Sequence, residues 1–129
     1  MTPEQRQILV QREADRAHHH LAQADEMLTL GHWDMAANRQ YYACYHAVQA
    51  LFVSREISGA THKGMISQFS LYFVKTGLIS IEKGSFLSRM MQLRTKADYN
   101  CFYDISKDEV QSLIDPTHDF VETVLNLVK

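Results

Sequence analysis

No stretch of this 129-residue chain approaches the roughly 20 consecutive apolar residues that cross a bilayer, so no membrane span is expected. The opening residues, MTPEQRQILVQREADRA, carry too many charges for a secretory leader, and the expectation is a cytoplasmic protein. Cysteine is scarce. Cys44 and Cys101 are far apart and lack metal-ligand spacing, which reads as buried, reduced thiols. A net charge of −2 argues against a strongly basic, DNA-wrapping protein. A local basic patch stays open, because acids crowd the two ends while Lys63, Lys75, Lys83, Arg89, Arg94 and Lys96 occupy the middle. There is no period-two strand pattern, no Asn-Gly hairpin turn and no internal repeat, so neither a β-fold nor a tetratricopeptide array is expected. The length suits one domain, residues 1–129, around one core.

What is present is helical pattern nearly throughout. Thr2-Pro3-Glu4-Gln5 is a helix start, with Thr2 as N-cap, Pro3 at the first helical position and Gln5 completing a capping box. Ile8, Leu9, Ala14, Ala17, Leu21, Ala24 and Leu28 follow at helical spacing, and Gly31 terminates them. A second helix is expected from about Asp34 to Arg55, rich in alanine, with Ser58-Gly59-Ala60 breaking it. Thr61 caps a third through Val74, ended by Gly77, and Ser80 caps a fourth to about Tyr99. Ser106-Lys107-Asp108-Glu109 is a second capping box opening a last helix, which Pro116 should kink or divide. Short connections make antiparallel neighbours, so the expected fold is an all-α, up-and-down bundle of four to five helices.

The candidate chemistry is concentrated in NRQYYACYHAVQAL, residues 38 to 51. Arg39, Tyr42 and His46 stand at i, i+3 and i+7 and share one helix face. A guanidinium can hold phosphate charge and an imidazole can move a proton near neutral pH. The competing reading is that Tyr41, Tyr42 and Tyr45 bury their rings and reach partners only with their hydroxyls. His18-His19-His20 is not a metal site, because adjacent helical residues point about 100° apart. Thr61-His62-Lys63-Gly64 is a helix start that lacks the glycines of a phosphate cradle. Near the end of the fourth helix, Arg94 and Asp98 form an i, i+4 ion pair, or else Arg94, Lys96 and Tyr99 make a site for a nucleotide or RNA phosphate.

Three ordered segments, AANRQYYACYHAVQALF (Ala36 to Phe52), THKGMISQFSLYFVKTG (Thr61 to Gly77) and LRTKADYN (Leu93 to Asn100), together resemble the HEPN domain, over about residues 10 to 125. The resemblance is to its small stand-alone prokaryotic members. It implies a helical bundle, commonly a homodimer, encoded beside a minimal nucleotidyltransferase in a toxin–antitoxin pair, with no cofactor. Active HEPN members are metal-independent ribonucleases with an R-x4-6-H signature near a late helix. Here the matching segment is Arg94 to Tyr99, and no histidine follows Arg94 before His118. Asp98 or Tyr99 stands where the histidine belongs. The spacing also fits Arg39 with His46, but equally Arg12 with His18 or His19 and Arg55 with His62. The expectation is therefore a nucleotidyltransferase partner that binds RNA or nucleotide through Arg94, Lys96, Tyr99, Arg39, Tyr42 and His46. Catalysis, if present, would use Arg94 with Asp98 or Arg39 with His46. Tyr99, or alternatively Tyr103, is the expected acceptor of nucleotidylation, as the resemblance implies. The rival is a helical adaptor with no nucleotide contact.

Overall fold

The structure is a computed structural model that describes residues 1–58 and 61–128; Gly59 and Ala60, where the second helix was expected to break, lie outside that range. All regular structure among the described residues is helical. Helix α1 spans Pro3–Thr29, and α2 spans Trp33–Ser54. Helix α3 spans His62–Phe69 and runs directly into one π-helical turn over Ser70–Val74. Helix α4 spans Ile81–Tyr99, α5 spans Lys107–Gln111 and α6 spans Ile114–Leu125.

Local chemistry accounts for the boundaries. Both capping boxes form, Thr2 with Gln5 and Ser106 with Glu109, each supplying two otherwise unpaired N–H groups with acceptors. After α1, Gly31 adopts φ +83°, its N–H donates to Leu28 O, and the His32 N–H donates to Met27 O. That pattern is a Schellman stop, and it turns the chain back so that α2 runs antiparallel to α1. The last helix is divided, as Pro116 required. The division falls at Ser112–Leu113, so Pro116 sits in the first turn of α6, where a missing N–H loses nothing. The expected smooth third helix is instead interrupted by the π turn. Helix α4 approaches that turn so closely that a Cβ on Gly84 would stand 2.8 Å from Val74 Cγ2.

Helix α2 is the central element and packs on α1, α4 and α6. Its Ala36, Ala37, Ala43, Ala47 and Ala50 are all buried, and α1 answers with Ala17 and Ala24. Small residues on both sides let the two backbones come close, which brings polar side chains on their shared edge within hydrogen-bond reach. Tyr41, Phe52, Phe69, Phe120, Leu51, Met65 and Leu87 fill the interior. Each such side chain contributes on the order of 1.5–3 kcal/mol by leaving water. Two expectations are corrected. Ile8, counted with the apolar stripe of α1, is mostly exposed, because the bundle covers α1 mainly from Ala17 to Ala24. Cys101 is an exposed thiol in a turn and only Cys44 is buried, its thiol pKa raised by burial.

Candidate functional site

The α1/α2 hairpin is polar along one edge by simple register. Glu13 and His20 are seven residues apart on α1, and Arg39 and His46 are seven apart on α2. Antiparallel pairing sets Glu13 against His46, with Nδ1 2.9 Å from Oε2, and His20 near Arg39, with Nδ1 3.4 Å from the guanidinium. The His20 and His46 rings stack, with centroids 5.2 Å apart and planes 20° apart. Helix α4 completes the group from the other side of α2.

Tyr42 is its centre. The Arg39 and Arg94 guanidiniums each lie 5.7 Å from the Tyr42 ring centroid, and Arg94 also lies 5.2 Å from that of Tyr41. Cation–π contacts of this kind contribute about 0.5–2 kcal/mol, more as they lose water. A polar chain joins the two cations: Arg39 donates to Asn38 Oδ1, Asn38 Nδ2 donates to Asp98 Oδ2 at 3.1 Å, and the same oxygen lies 3.6 Å from Arg94. Among the described residues Asp98 is the one carboxylate within 4 Å of Arg94, and Arg39 has none. Arg94 therefore has one counter-charge, and Arg39 reaches that carboxylate only through the neutral Asn38 amide.

The interior edge is anchored by Tyr41, whose hydroxyl is 2.6 Å from Nδ1 of His62 at the start of α3. Burial pushes the Tyr41 hydroxyl pKa up. Burial, then the Arg94 charge, lowers the pKa of His62, so a neutral ring accepts the Tyr41 proton. His20 is likewise held below the usual histidine range by burial, with the Arg39, His46 and His19 charges adding to that effect against the Gln23 hydrogen bond. Toward solvent, the hydroxyls of Tyr42 and Tyr45 and the Nε2 atoms of His20 and His46 have no protein partner among the described residues, yet none is a buried unpaired atom. The rim thus presents uncommitted polar atoms to water around two guanidiniums.

The structure brings Arg39, Tyr42, His46, Arg94 and Asp98 into this one cluster and sets Lys96 and Tyr99 apart from it. Lys96 Nζ lies 4.3 Å over the Tyr103 ring. Tyr99 is 72% exposed and lines, with Met91, Thr95 and Phe102, a cleft of about 700 Å³. Tyr103 donates its hydroxyl to Glu109 at 2.6 Å, and burial and that carboxylate push its pKa up to about 12. The sequence reading missed Glu13, His20, Asn38 and His62 as members of the cluster. The matching seven-residue spacings on α1 and α2 were the available signal for the first two. No group of three or more His, Cys, Asp or Glu side chains among the described residues converges as a metal site would, and no described helix is long and apolar enough to cross a membrane.

The class so defined is an all-helical bundle whose second helix carries a tyrosine within 5.7 Å of two guanidiniums, of which that of Arg94 is largely buried, its side chain 13% exposed. The HEPN domain profile matches residues 10–127. A UPF0332 protein of Thermotoga maritima is 32% identical over 94 residues, covering 73% of this chain and 71% of the relative. Two proteins of Methanocaldococcus jannaschii, each named "Putative toxin", are 27% identical over 107 residues (83% of this chain, 73% of the relative) and 33% identical over 94 residues (73% and 69%). The chain belongs to the HEPN domain family.

Proposed function

We propose that this chain is a toxin-type HEPN protein, the partner of a minimal nucleotidyltransferase, and that it takes an RNA or nucleotide phosphate at Arg39 and Arg94. The observation that carries the phosphate reading is two guanidiniums each 5.7 Å from the Tyr42 ring, with one carboxylate, Asp98, that pairs with Arg94 and is joined to Arg39 only through Asn38. Such a site has charge to offer an incoming anion and, in Asn38, a neutral bridge that keeps both cations aimed. The toxin names of the Methanocaldococcus relatives and the family membership support the first half. A homodimer placing two such faces side by side fits the same reading.

Titration of the purified protein with ATP and with a short single-stranded RNA tests it. Saturable binding that weakens at least tenfold in Arg39→Ala and in Arg94→Ala is expected. Absence of binding at millimolar ligand leaves the adaptor reading instead. Nucleotidylation is assigned to Tyr99 rather than Tyr103, since Tyr99 is open to solvent while the Tyr103 hydroxyl is engaged by Glu109. Mass spectrometry after co-expression with the neighbouring nucleotidyltransferase should find the adduct on Tyr99 and lose it in Tyr99→Phe; an adduct that persists in that variant contradicts the assignment.

A further inference from the structure

Where α1 turns into α2, a small cavity of about 310 Å³ opens against the segment between α4 and α5. Trp33, Asp34, Tyr103 and Asp104 line it, with His32 and Ile105. Both aromatic side chains are partly buried against one apolar cluster of Ala36, Ala37, Ile105 and Val110, so packing holds them in place. The outer edge of the Trp33 ring folds back over the turn, where a Cβ on Gly31 would lie 3.8 Å from Cη2. Tyr103 is tied further by its 2.6 Å hydrogen bond to Glu109. The two aspartates are less constrained. Both are exposed, and among the described residues neither has a cationic side chain within 4 Å. Asp34 stands in the first turn of α2, where the helix N-terminus favours a carboxylate. Asp104 lies outside either neighbouring helix and has no such task.

Aromatic rings beside unneutralised carboxylates suit an organic cation. The rings attract it through their quadrupoles, and the carboxylates supply counter-charge and accept its hydrogen bonds. The same corner of the molecule already holds one such contact, because Lys96 Nζ lies 4.3 Å from the Tyr103 ring centroid. Lys96 is not among the residues around the cavity and does not fill it. A bare divalent ion fits less well. It needs several ligand atoms within about 2–2.6 Å, and His32, Asp34 and Asp104 do not converge as such a group. We propose that this cavity binds a primary alkylammonium group, the end of a polyamine or of a lysine side chain. Asp34 and Asp104 are its counter-ions, and Trp33 and Tyr103 are the aromatic walls along its methylene chain. The site shares no residue with the Arg39 and Arg94 cluster and takes a ligand of opposite charge, so it is independent of the phosphate reading.

Trp33 is the one tryptophan of the chain and reports on the cavity directly. The full chain is titrated with n-butylammonium, with spermidine and with N-acetylated trilysine amide, which matches the three ammonium groups of spermidine. Ionic strength is held constant, and tryptophan emission and isothermal titration are followed in parallel. Saturable changes in both are expected with n-butylammonium, while n-butanol, similar in size but uncharged, should be silent. Affinity should fall on the order of fivefold in Asp34→Asn and in Asp104→Asn, exposed positions at which the variants keep the wild-type melting temperature within a few degrees. Tighter binding of spermidine than of the peptide assigns the site to a free polyamine, and the reverse order assigns it to a lysine of a partner protein; both support the proposal. A response to magnesium chloride equal to that with n-butylammonium marks a plain acidic surface and overturns it. Binding that survives unchanged in the Asp34→Asn/Asp104→Asn double variant overturns it too, as does the absence of heat and of emission change at millimolar amine.

Discussion

At the scale of single residues, Tyr41 and Tyr42 are neighbours with separate tasks. Tyr41 is buried and holds α2 to α3 through its hydroxyl on His62; Tyr42 is partly buried, with two guanidiniums 5.7 Å from its ring. Tyr41→Phe keeps the ring and deletes the 2.6 Å bond, leaving His62 Nδ1 without its partner. A loss of about 1 kcal/mol in denaturant unfolding is expected, with phosphate binding unchanged. Arg94→Lys is the complementary change at the site. If Arg94 takes phosphate as proposed, a lysine keeps the charge but loses the planar group over the Tyr41 and Tyr42 rings and the fork that would meet the anion, so ligand affinity should fall several-fold at unchanged fold, as isothermal titration can measure.

At the scale of elements, the boundaries were legible in the sequence because they are local. Thr2-x-x-Gln5, Gly31, Ser80 and Ser106-x-x-Glu109 satisfy N–H and C=O groups within a few residues and need no tertiary partner. Ser106→Ala should cost about 0.5–2 kcal/mol by thermal or chemical unfolding. The π turn at Ser70–Val74 was not legible, since no local residue pattern marks it; α4 meets it from outside the segment, with Gly84 against Val74. Gly84→Ala probes that meeting. The added methyl would stand 2.8 Å from Val74, so net destabilisation of about 1 kcal/mol is expected despite the better helix propensity of alanine. A stability gain would contradict the packing. The site divides in the same way. Arg39, Tyr42 and His46 could be read from one helix, because i, i+3 and i+7 share a face. Glu13, His20, His62 and the stacking of Arg94 came from other helices, and their register follows from the small-residue α1/α2 seam and the approach of α4. The grouping of Arg94 with Lys96 and Tyr99 relied on closeness in sequence, whereas on a helix those positions face different neighbours.

At the scale of the whole molecule, stability should respond to acid through the histidines whose pKa values are lowered. His20 and His62 are neutral in the folded chain where an unfolded chain, with an ordinary value near 6.5, has begun to take up protons. Their contribution is intact above that value and is lost as pH falls below it toward the folded values. Melting temperature should therefore drop between pH 7 and 5 by more in the wild type than in a His20→Asn/His62→Asn double variant; equal slopes would contradict it. Arg39 and Arg94, each 5.7 Å from the Tyr42 ring, are proposed to act as one phosphate site. Side-chain NMR of the arginine Nε–H groups during titration with a short single-stranded RNA tests it most directly. The Arg39 and Arg94 signals should shift together, saturate at one ligand concentration and leave those of Arg12, Arg55 and Arg89 in place. Saturable binding that moves other arginines while these two stay still would contradict the claim.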